Sequence, residues 1–241
     1  MLREKCGAIV MKRVSPIIVL GMLVVLPGAG WQAMGQDAKV LYPNMAPVDQ
    51  YLMADRDQEI ALARSAAPES VARDAEVLVL GRHGYETAVQ GKNGFVCVVE
   101  RSWMSPIDDP DFWNPKSRGP LCVNAASARS YLKRTIKRTE LILAGQTKAQ
   151  MVEAMTKAID SKELPPMEPG AMCYMLSKQG VLNSRDGHWH PHLMFFVSQM
   201  EPEAWGANLE GAQIYAFDDK WEHLTTFLVP VGKWSDGTVD Q

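Results

Sequence analysis

The chain has 241 residues, of which 46% are hydrophobic and 22% are charged, and its formal net charge is −3. This length and composition are sufficient for one domain with a packed core, or for one domain with an appendage. The first 35 residues hold four basic and one acidic side chain, which leaves 21 basic and 27 acidic ones and a charge of −6. Such a charge argues against a general binder of nucleic acid or of anionic membranes.

The N-terminal segment has the pattern of a secretory signal peptide. Lys12 and Arg13 provide a basic start, and residues 17–26 follow as a run without charged or polar side chains. A membrane-spanning helix needs about 20 apolar residues, which is twice the length of this run. The pattern therefore favours a signal peptide over a membrane anchor.

The end of this segment predicts where the leader is removed. Ala33 and Gly35 place small residues at the two positions that a signal peptidase reads, so we expect the mature chain to begin at Gln36. The leader itself starts at Met1 or at Met11. We expect a periplasmic or secreted protein without stable membrane insertion after cleavage, with retention of an uncleaved anchor as the alternative.

Three cysteines follow the leader, namely Cys97, Cys122 and Cys173. None lies in a Cys-x-x-Cys spacing, and an oxidising compartment allows two of them to pair. The surroundings of Cys122 are rich in Pro and Gly and indicate an exposed position, which makes it the best candidate for a disulfide. Cys97 lies in an apolar run and is also explained as a small buried side chain, so the sequence leaves the pairing open.

The first half of the mature chain predicts one helix and two strands. Residues 48–67 are rich in Ala, Leu, Met, Glu and Arg and lack Gly, which indicates a helix. Residues 76–80 and 95–100 are apolar and rich in β-branched side chains, which indicates strands. The segment between these strands suits either the long loop of a hairpin or a short additional strand. Residues 102–121, rich in Pro, Asp, Trp and Gly, are expected to form a long loop.

The second half predicts two helices followed by strands. Residues 124–144 have a helical pattern of apolar positions, and Thr147 suits the N-cap of a second helix over residues 148–161. Four further strands are predicted over residues 171–176, 193–198, 213–217 and 225–231.

This order of elements predicts a single α+β domain over residues 36–241. Because neighbouring strands joined by short turns prefer antiparallel pairing, we expect one antiparallel sheet of about five or six strands with the helices packed on one face. Two strands, a helical insert and further strands are also the order of profilin-like and PAS-like domains. That similarity concerns topology and does not identify a function.

Arg82, His83 and Gly84 directly follow the first predicted strand. This tripeptide resembles the signature of the histidine phosphatase superfamily. The resemblance implies that His83 accepts a phosphoryl group while Arg82 binds the phosphoryl oxygens, because cations stabilise the charge of the transferred group. The superfamily also needs a parallel sheet and a second histidine, and the alternative is a polar hairpin loop.

His188, His190 and His192 occupy alternate positions before a predicted strand. Alternate side chains of an extended segment point to the same face, and neutral imidazole is a good ligand for zinc or copper. Asp186 or His223 would complete a set of four ligands. The sequence thus predicts a candidate metal site, for which the alternative is an ordinary polar start of a strand.

Trp103, Trp113 and Trp189 lie in predicted loops. Tryptophans in loops either line a ligand pocket or anchor the loop to the body of the domain. We expect these three to bind a ligand and keep anchoring as the alternative.

Ser130 and Lys133 match the Ser-x-x-Lys pattern of penicillin-binding proteins. Ser130 is predicted inside a helix instead of at its start, and the chain lacks the Lys-Thr-Gly element of that family. A chance match is the better interpretation.

Residues 77–97 and 189–196 resemble segments of a group of exported bacterial proteins with no established activity. The likeness extends over most of the mature chain and implies a cell-envelope or secreted protein, but no reaction. Because no catalytic set is complete, we expect a domain that binds a small molecule or an envelope protein without catalysis, in a pocket formed by residues 102–121 and 188–192. The alternatives are a metal-dependent hydrolase that uses the three histidines and phosphoryl transfer at His83.

Overall fold

The computed structural model describes residues 41–183 and 189–241. Its helices are α1 (Arg56–Arg64), α2 (Glu69–Ala72), α3 (Ala125–Arg129), α4 (Tyr131–Leu143) and α5 (Lys148–Asp160). Its strands are β1 (Glu76–Gly81), β2 (Gly84–Val89), β3 (Val96–Glu100), β4 (Gly119–Val123), β5 (Met172–Met175), β6 (His192–Ser198), β7 (Tyr215–Asp219) and β8 (Leu224–Pro230). The fold is α+β, as the sequence predicts, and the strands form one sheet in the order β2-β1-β3-β4-β5-β6-β8-β7.

The sheet has eight strands instead of the five or six predicted, because β2 and β4 form in segments that were predicted to be wholly or partly loop. β2 is the additional strand that the sequence allows as an alternative to a long hairpin loop. All neighbouring strands are antiparallel except β1 and β3, which pair in parallel with Glu76 opposite Val96. The β1–β2 hairpin explains the exception. β2 runs antiparallel to β1 along one of its edges. The chain then reverses again, so β3 runs parallel to β1 along the other edge.

Helices cover both faces of the sheet, whereas the sequence predicts them on one face. Ala63 of α1 shares a buried cluster with Cys97 of β3, and Leu132 of α4 shares another with Val98, the next residue of the same strand. Successive side chains of a strand point to opposite faces, so the two helices lie on opposite sides of the sheet. β1, β3 and β4 accordingly have buried apolar side chains along most of their length, as expected of strands that are buried on both faces.

The predicted helix over residues 48–67 is shorter than expected. Val48–Gln50 form a single turn of 3-10 helix, and the α-helical part begins only after Asp55. The carboxylate of Asp55 accepts a hydrogen bond of 2.9 Å from the N–H of Asp57, which is the usual geometry of an N-cap.

The predicted helix over residues 124–144 is interrupted at Ser130, whose backbone leaves the helical region and separates α3 from α4. The prediction for α5 is confirmed, and Thr147 forms a capping box with Gln150 at its start. Among the described residues, no helix has both the length and the apolar character needed to cross a lipid bilayer.

A disulfide joins Cys97 of β3 to Cys122 of β4, at paired positions whose Cα atoms are 4.0 Å apart. Cys122 is therefore a disulfide member, as expected, and Cys97 is its partner instead of an isolated buried thiol. Cys173 is buried, and burial raises the pKa of its thiol well above the ordinary value. That thiol is protonated and inert near neutral pH.

The outer edge of β7 is closed by a side chain instead of a further strand. The carboxamide of Asn208 donates to the carbonyl oxygen of Ala216 at 3.0 Å and accepts from its N–H at 2.9 Å. Asn208 has a φ of 59°, in the left-handed region that asparagine adopts more readily than most residues. Exposed strand edges pair readily with other chains, and this cap occupies the N–H and carbonyl groups of Ala216 that such pairing would use.

Replacing Asn208 with glycine should speed hydrogen exchange at the amide of Ala216. Glycine accepts the left-handed backbone, so the change removes the side-chain acceptor without adding backbone strain. Exchange measured by NMR checks this, with the amides of β8 as the internal control. An unchanged rate at Ala216 would show that Asn208 does not protect the edge.

Candidate ligand-binding site

A cavity of about 730 Å³ lies between the segment that follows β5 and the segment that follows β8. Its volume falls within the range of roughly 300–1,000 Å³ that is usual for small-molecule sites. The apolar side chains that line it are Val181, Leu182, Trp189, Trp234 and Val239, and the polar ones are Lys178, Asn183, Thr238, Asp240 and Gln241. The cavity thus offers both apolar surface and groups that form hydrogen bonds.

The end of the predicted loop over residues 102–121 holds one wall of the cavity in place. Arg118 and Val181 form a β-bridge with N···O distances of 2.7 and 2.8 Å. The hydroxyl of Ser117 donates to the carbonyl oxygen of Leu182 at 3.0 Å. Because Ser117 and Arg118 directly precede β4, this wall is tied to the sheet.

The segment after β8 forms the second wall as a tight loop. The N–H of Trp234 donates to the carbonyl oxygen of Thr238 at 2.9 Å. The N–H of Ser235 donates to the carbonyl oxygen of Leu176 at 2.9 Å, directly after β5. Both walls are therefore anchored to the same part of the sheet.

Trp189 and Trp234 meet at a corner of the cavity. Their ring centroids are 6.1 Å apart and the ring planes are inclined at 63°, and His192 packs against Trp189 with its ring almost perpendicular. A Cβ at Gly180 would lie only 2.4 Å from Cζ2 of Trp189, so the indole needs glycine at this position. The Nε1 of Trp189 is buried and has no hydrogen-bond acceptor within the described residues, which means that packing holds this ring.

His190 and His192 bind different groups. Nδ1 of His190 lies 2.6 Å from Oδ2 of Asp240, and Nδ1 of His192 lies 2.8 Å from the backbone oxygen of His190. Burial lowers the pKa of the His192 imidazole and favours its neutral form.

His188 and Asp186 lie outside the described residues, so a zinc or copper site of three histidines stays a prediction. Residues 41–183 and 189–241 contain no group of three or more His, Cys, Asp or Glu side chains placed to hold a metal ion.

Trp103 and Trp113 lie in the interior of the protein and not at the cavity. Trp103 is fully buried, packs against Tyr51 with ring centroids 4.9 Å apart, and donates from Nε1 to the hydroxyl of Thr139 at 3.0 Å. Trp113 is 7% exposed and packs edge-on against Phe112. Of the three tryptophans expected to bind a ligand, Trp189 lines the cavity, and the other two anchor their loop.

Arg82 and His83 form the two-residue turn between β1 and β2, and both are exposed. Nη2 of Arg82 lies 2.6 Å from Oδ1 of Asp49 on the surface. The resemblance to histidine phosphatases implies a site at the end of a parallel strand, whereas this turn joins two antiparallel strands. The geometry is that of the polar hairpin loop.

Ser130 stands at the start of α4, and not inside a helix as predicted. Its hydroxyl is buried and donates to the carbonyl oxygen of Ala126 at 2.8 Å, while Lys133 is exposed. Because the hydroxyl is held by the backbone, its geometry supports a chance match to the Ser-x-x-Lys pattern.

The sequence does not indicate Asp240 or residues 178–183 as parts of a site, and it does not distinguish Trp234 from the other tryptophans of predicted loops. These residues lie in connections before or after predicted strands. The spacing of apolar residues there does not indicate which side chains meet in the folded protein. The one local signal is Trp234 between Gly232 and Gly237, a composition typical of a tight loop with an anchored aromatic ring.

No protein-family model, no curated protein and no solved structure matches this chain at a significant level.

Proposed function

We propose that this chain binds a small molecule in the cavity bounded by Trp189 and Trp234, and that it does so without catalysis. The observation that carries the proposal is a cavity of about 730 Å³ whose wall combines two indole rings with several polar groups. Ligand sites combine apolar surface with placed groups that form hydrogen bonds, and this wall offers both.

The lining favours an uncharged ligand with a flat apolar face and several hydroxyl or amide groups, such as a saccharide or a substituted aromatic compound. The indole rings supply rigid apolar surface, and the hydroxyl of Thr238 both donates and accepts hydrogen bonds. The charged groups at the cavity pair within the protein, Lys178 with Asp236 at 3.0 Å and Asp240 with His190 at 2.6 Å. A charged ligand would compete with these pairs.

We further propose that the protein acts in the periplasm or after secretion. The signal-peptide pattern of the first 35 residues supports this location. The disulfide between Cys97 and Cys122 supports it as well, because disulfides persist mainly in oxidising compartments.

Replacing Trp189 with alanine should weaken ligand binding by about tenfold or more, because the change removes one wall of the aromatic corner. The probe is a panel of monosaccharides, disaccharides and small uncharged aromatic compounds, screened by the rise in melting temperature that a ligand of the folded state causes. Isothermal titration calorimetry then gives the affinity of each hit for the wild type and the variant.

The matched control is Trp205→Ala, which removes a tryptophan that does not line the cavity. We expect this variant to bind each hit as tightly as the wild type does. A panel without hits, or hits whose affinity is the same in the Trp189 variant, would contradict the proposed function.

A further inference from the structure

Four large apolar side chains are exposed at the β7 end of the sheet. They are Trp205, Leu209, Tyr215 and Phe217, with exposed fractions of 46%, 52%, 51% and 55%. We call them the β7 edge surface, and none of them lines the cavity described above. Clusters of exposed apolar side chains on folded proteins mark surfaces that a partner covers, and Trp, Tyr and Phe are enriched at such interfaces.

The aromatic rings lie on both faces of the edge strand. Tyr215 and Phe217 occupy alternate positions of β7 and therefore share one face. Trp205 lies on the other face, because it stacks on Phe227, the partner of Ala216 in the register. Its ring centroid is 4.3 Å from that of Phe227, with an angle of 13° between the planes, so the exposed indole is held in a fixed orientation.

The same part of the chain carries a strong negative charge. Residues 199–220 include five acidic side chains and one basic side chain, Lys220. The exposed acidic residues are Glu201, Glu203, Glu210 and Asp218. Carboxylates beside aromatic rings form a surface that attracts lysine and arginine side chains, through ion pairs and through cation–π contacts.

We propose that the β7 edge surface docks a basic amphipathic polypeptide segment of another protein. The apolar side chains of this segment contact Tyr215 and Phe217, which share one face of β7, and its lysine and arginine side chains reach the carboxylates along that edge. The segment docks through side chains and not as an added strand, because Asn208 already occupies the N–H and carbonyl groups of Ala216 on the open edge.

The negative charge of the β7 edge surface favours a basic partner over the other candidates. A second copy of the chain would bring the same negative patch, and like charges at an interface oppose association. Anionic membranes and nucleic acids would be repelled in the same way. A basic segment with apolar side chains complements both properties of the surface.

The test is isothermal titration calorimetry of the full chain with three synthetic peptides of equal length. The first is an amphipathic peptide of lysine and leucine, the second replaces each lysine with glutamate, and the third is polylysine. We expect the lysine–leucine peptide to bind, with an affinity that falls by about tenfold or more between low and physiological salt. We expect the glutamate–leucine peptide not to bind, and polylysine to bind at least about tenfold more weakly than the lysine–leucine peptide.

Two sets of variants locate the binding. Tyr215→Ser with Phe217→Ser removes apolar surface, and Glu201→Lys with Glu203→Lys and Glu210→Lys reverses the charge. Each set should lower the affinity for the lysine–leucine peptide by about tenfold or more. The matched controls, Leu41→Ser and Glu153→Lys, change an exposed leucine and an exposed glutamate elsewhere and should leave the affinity unchanged.

Three results would overturn the proposal. Equal binding of the glutamate–leucine peptide would remove the role of charge, and equal affinity of the β7 variants and the wild type would place the binding elsewhere. Sedimentation that shows a dimer of the wild type, dissociated by the Tyr215 and Phe217 changes, would assign the surface to a second copy of the chain. Circular dichroism of every variant keeps a folding defect distinct from a loss of binding.

Discussion

Replacing Glu59 with glutamine should lower the free energy of unfolding by about 3–5 kcal/mol, because it leaves the charge of Arg101 buried without a counter-charge. The side chains of Arg101 and Glu59 are 0% and 2% exposed, and Nη2 of Arg101 lies 2.8 Å from Oε1 of Glu59. Water therefore cannot compensate for the missing carboxylate. Glutamine has nearly the same shape as glutamate, so the loss reports the charge and not a cavity.

This ion pair fixes α1 against the sheet. The same Oε1 of Glu59 accepts a hydrogen bond of 3.1 Å from the N–H of Leu80 in β1. Arg101, directly after β3, donates to the carbonyl oxygens of Tyr51 and Val99. The pair thus joins two strands, α1 and the segment before α1, and its loss should loosen all of them together.

Urea unfolding followed by circular dichroism measures the effect, and Glu69→Gln is the matched control. Glu69 makes the same kind of contact with Arg73, at 3.0 Å, but on the surface, with side chains that are 75% and 67% exposed. We expect this control to cost less than about 1 kcal/mol, as exposed ion pairs generally do. If the two changes had equal effects, burial of the Glu59–Arg101 pair would not matter for stability.

Most elements of the fold follow from the local pattern of residues, and the exceptions have identifiable causes. The sequence predicts residues 119–121 of β4 as the end of a loop, because Gly119 and Pro120 follow a stretch rich in Pro and Asp. Proline is tolerated there because the pairing of β4 with β5 reaches only Cys122 and Val123. The strand boundary is set by this non-local register, which composition does not reveal.

The candidate site follows less directly from the sequence than the fold does, because a buried tryptophan and a ligand-binding one have the same loop surroundings in the sequence. Trp103 and Trp113 are buried by contacts with Tyr51 and Phe112, which are set by tertiary packing. Trp189 instead meets a loop that begins after the last strand, a juxtaposition that only the folded sheet creates. The sequence thus identifies one of the two indole rings of the cavity, and the fold supplies the other.

Burial of Glu100 should make the protein less stable as the pH rises from about 5 to about 8. Glu100 lies on β3, is 7% exposed and accepts hydrogen bonds from the hydroxyls of Tyr131 at 3.2 Å and Thr135 at 2.9 Å. Desolvation raises the pKa of its carboxyl from 4.5 to about 7, although these two hydrogen bonds and the charge of Arg138 act in the opposite direction.

The sign of the effect follows from proton binding. Between the two pKa values the folded chain holds a proton that the unfolded chain releases, so the stabilisation is fully present below about 4.5 and is lost as the pH rises to about 7. This shift of the pKa corresponds to a change of about 3 kcal/mol in the free energy of unfolding at 25 °C. Glutamine at position 100 keeps an oxygen that accepts both hydrogen bonds, but it has no charge to desolvate.

We therefore expect the free energy of unfolding of Glu100→Gln to match that of the wild type near pH 5 and to exceed it by about 3 kcal/mol near pH 8. Urea unfolding over this pH range gives both curves, and subtracting them removes the contributions of buried groups that do not interact with Glu100, such as His192. Glu140→Gln on the exposed face of α4 is the matched control, and its curve should run parallel to that of the wild type. If the difference between Glu100→Gln and the wild type did not change with pH, Glu100 would be ionised throughout the range, and the two hydroxyls and Arg138 would outweigh its desolvation.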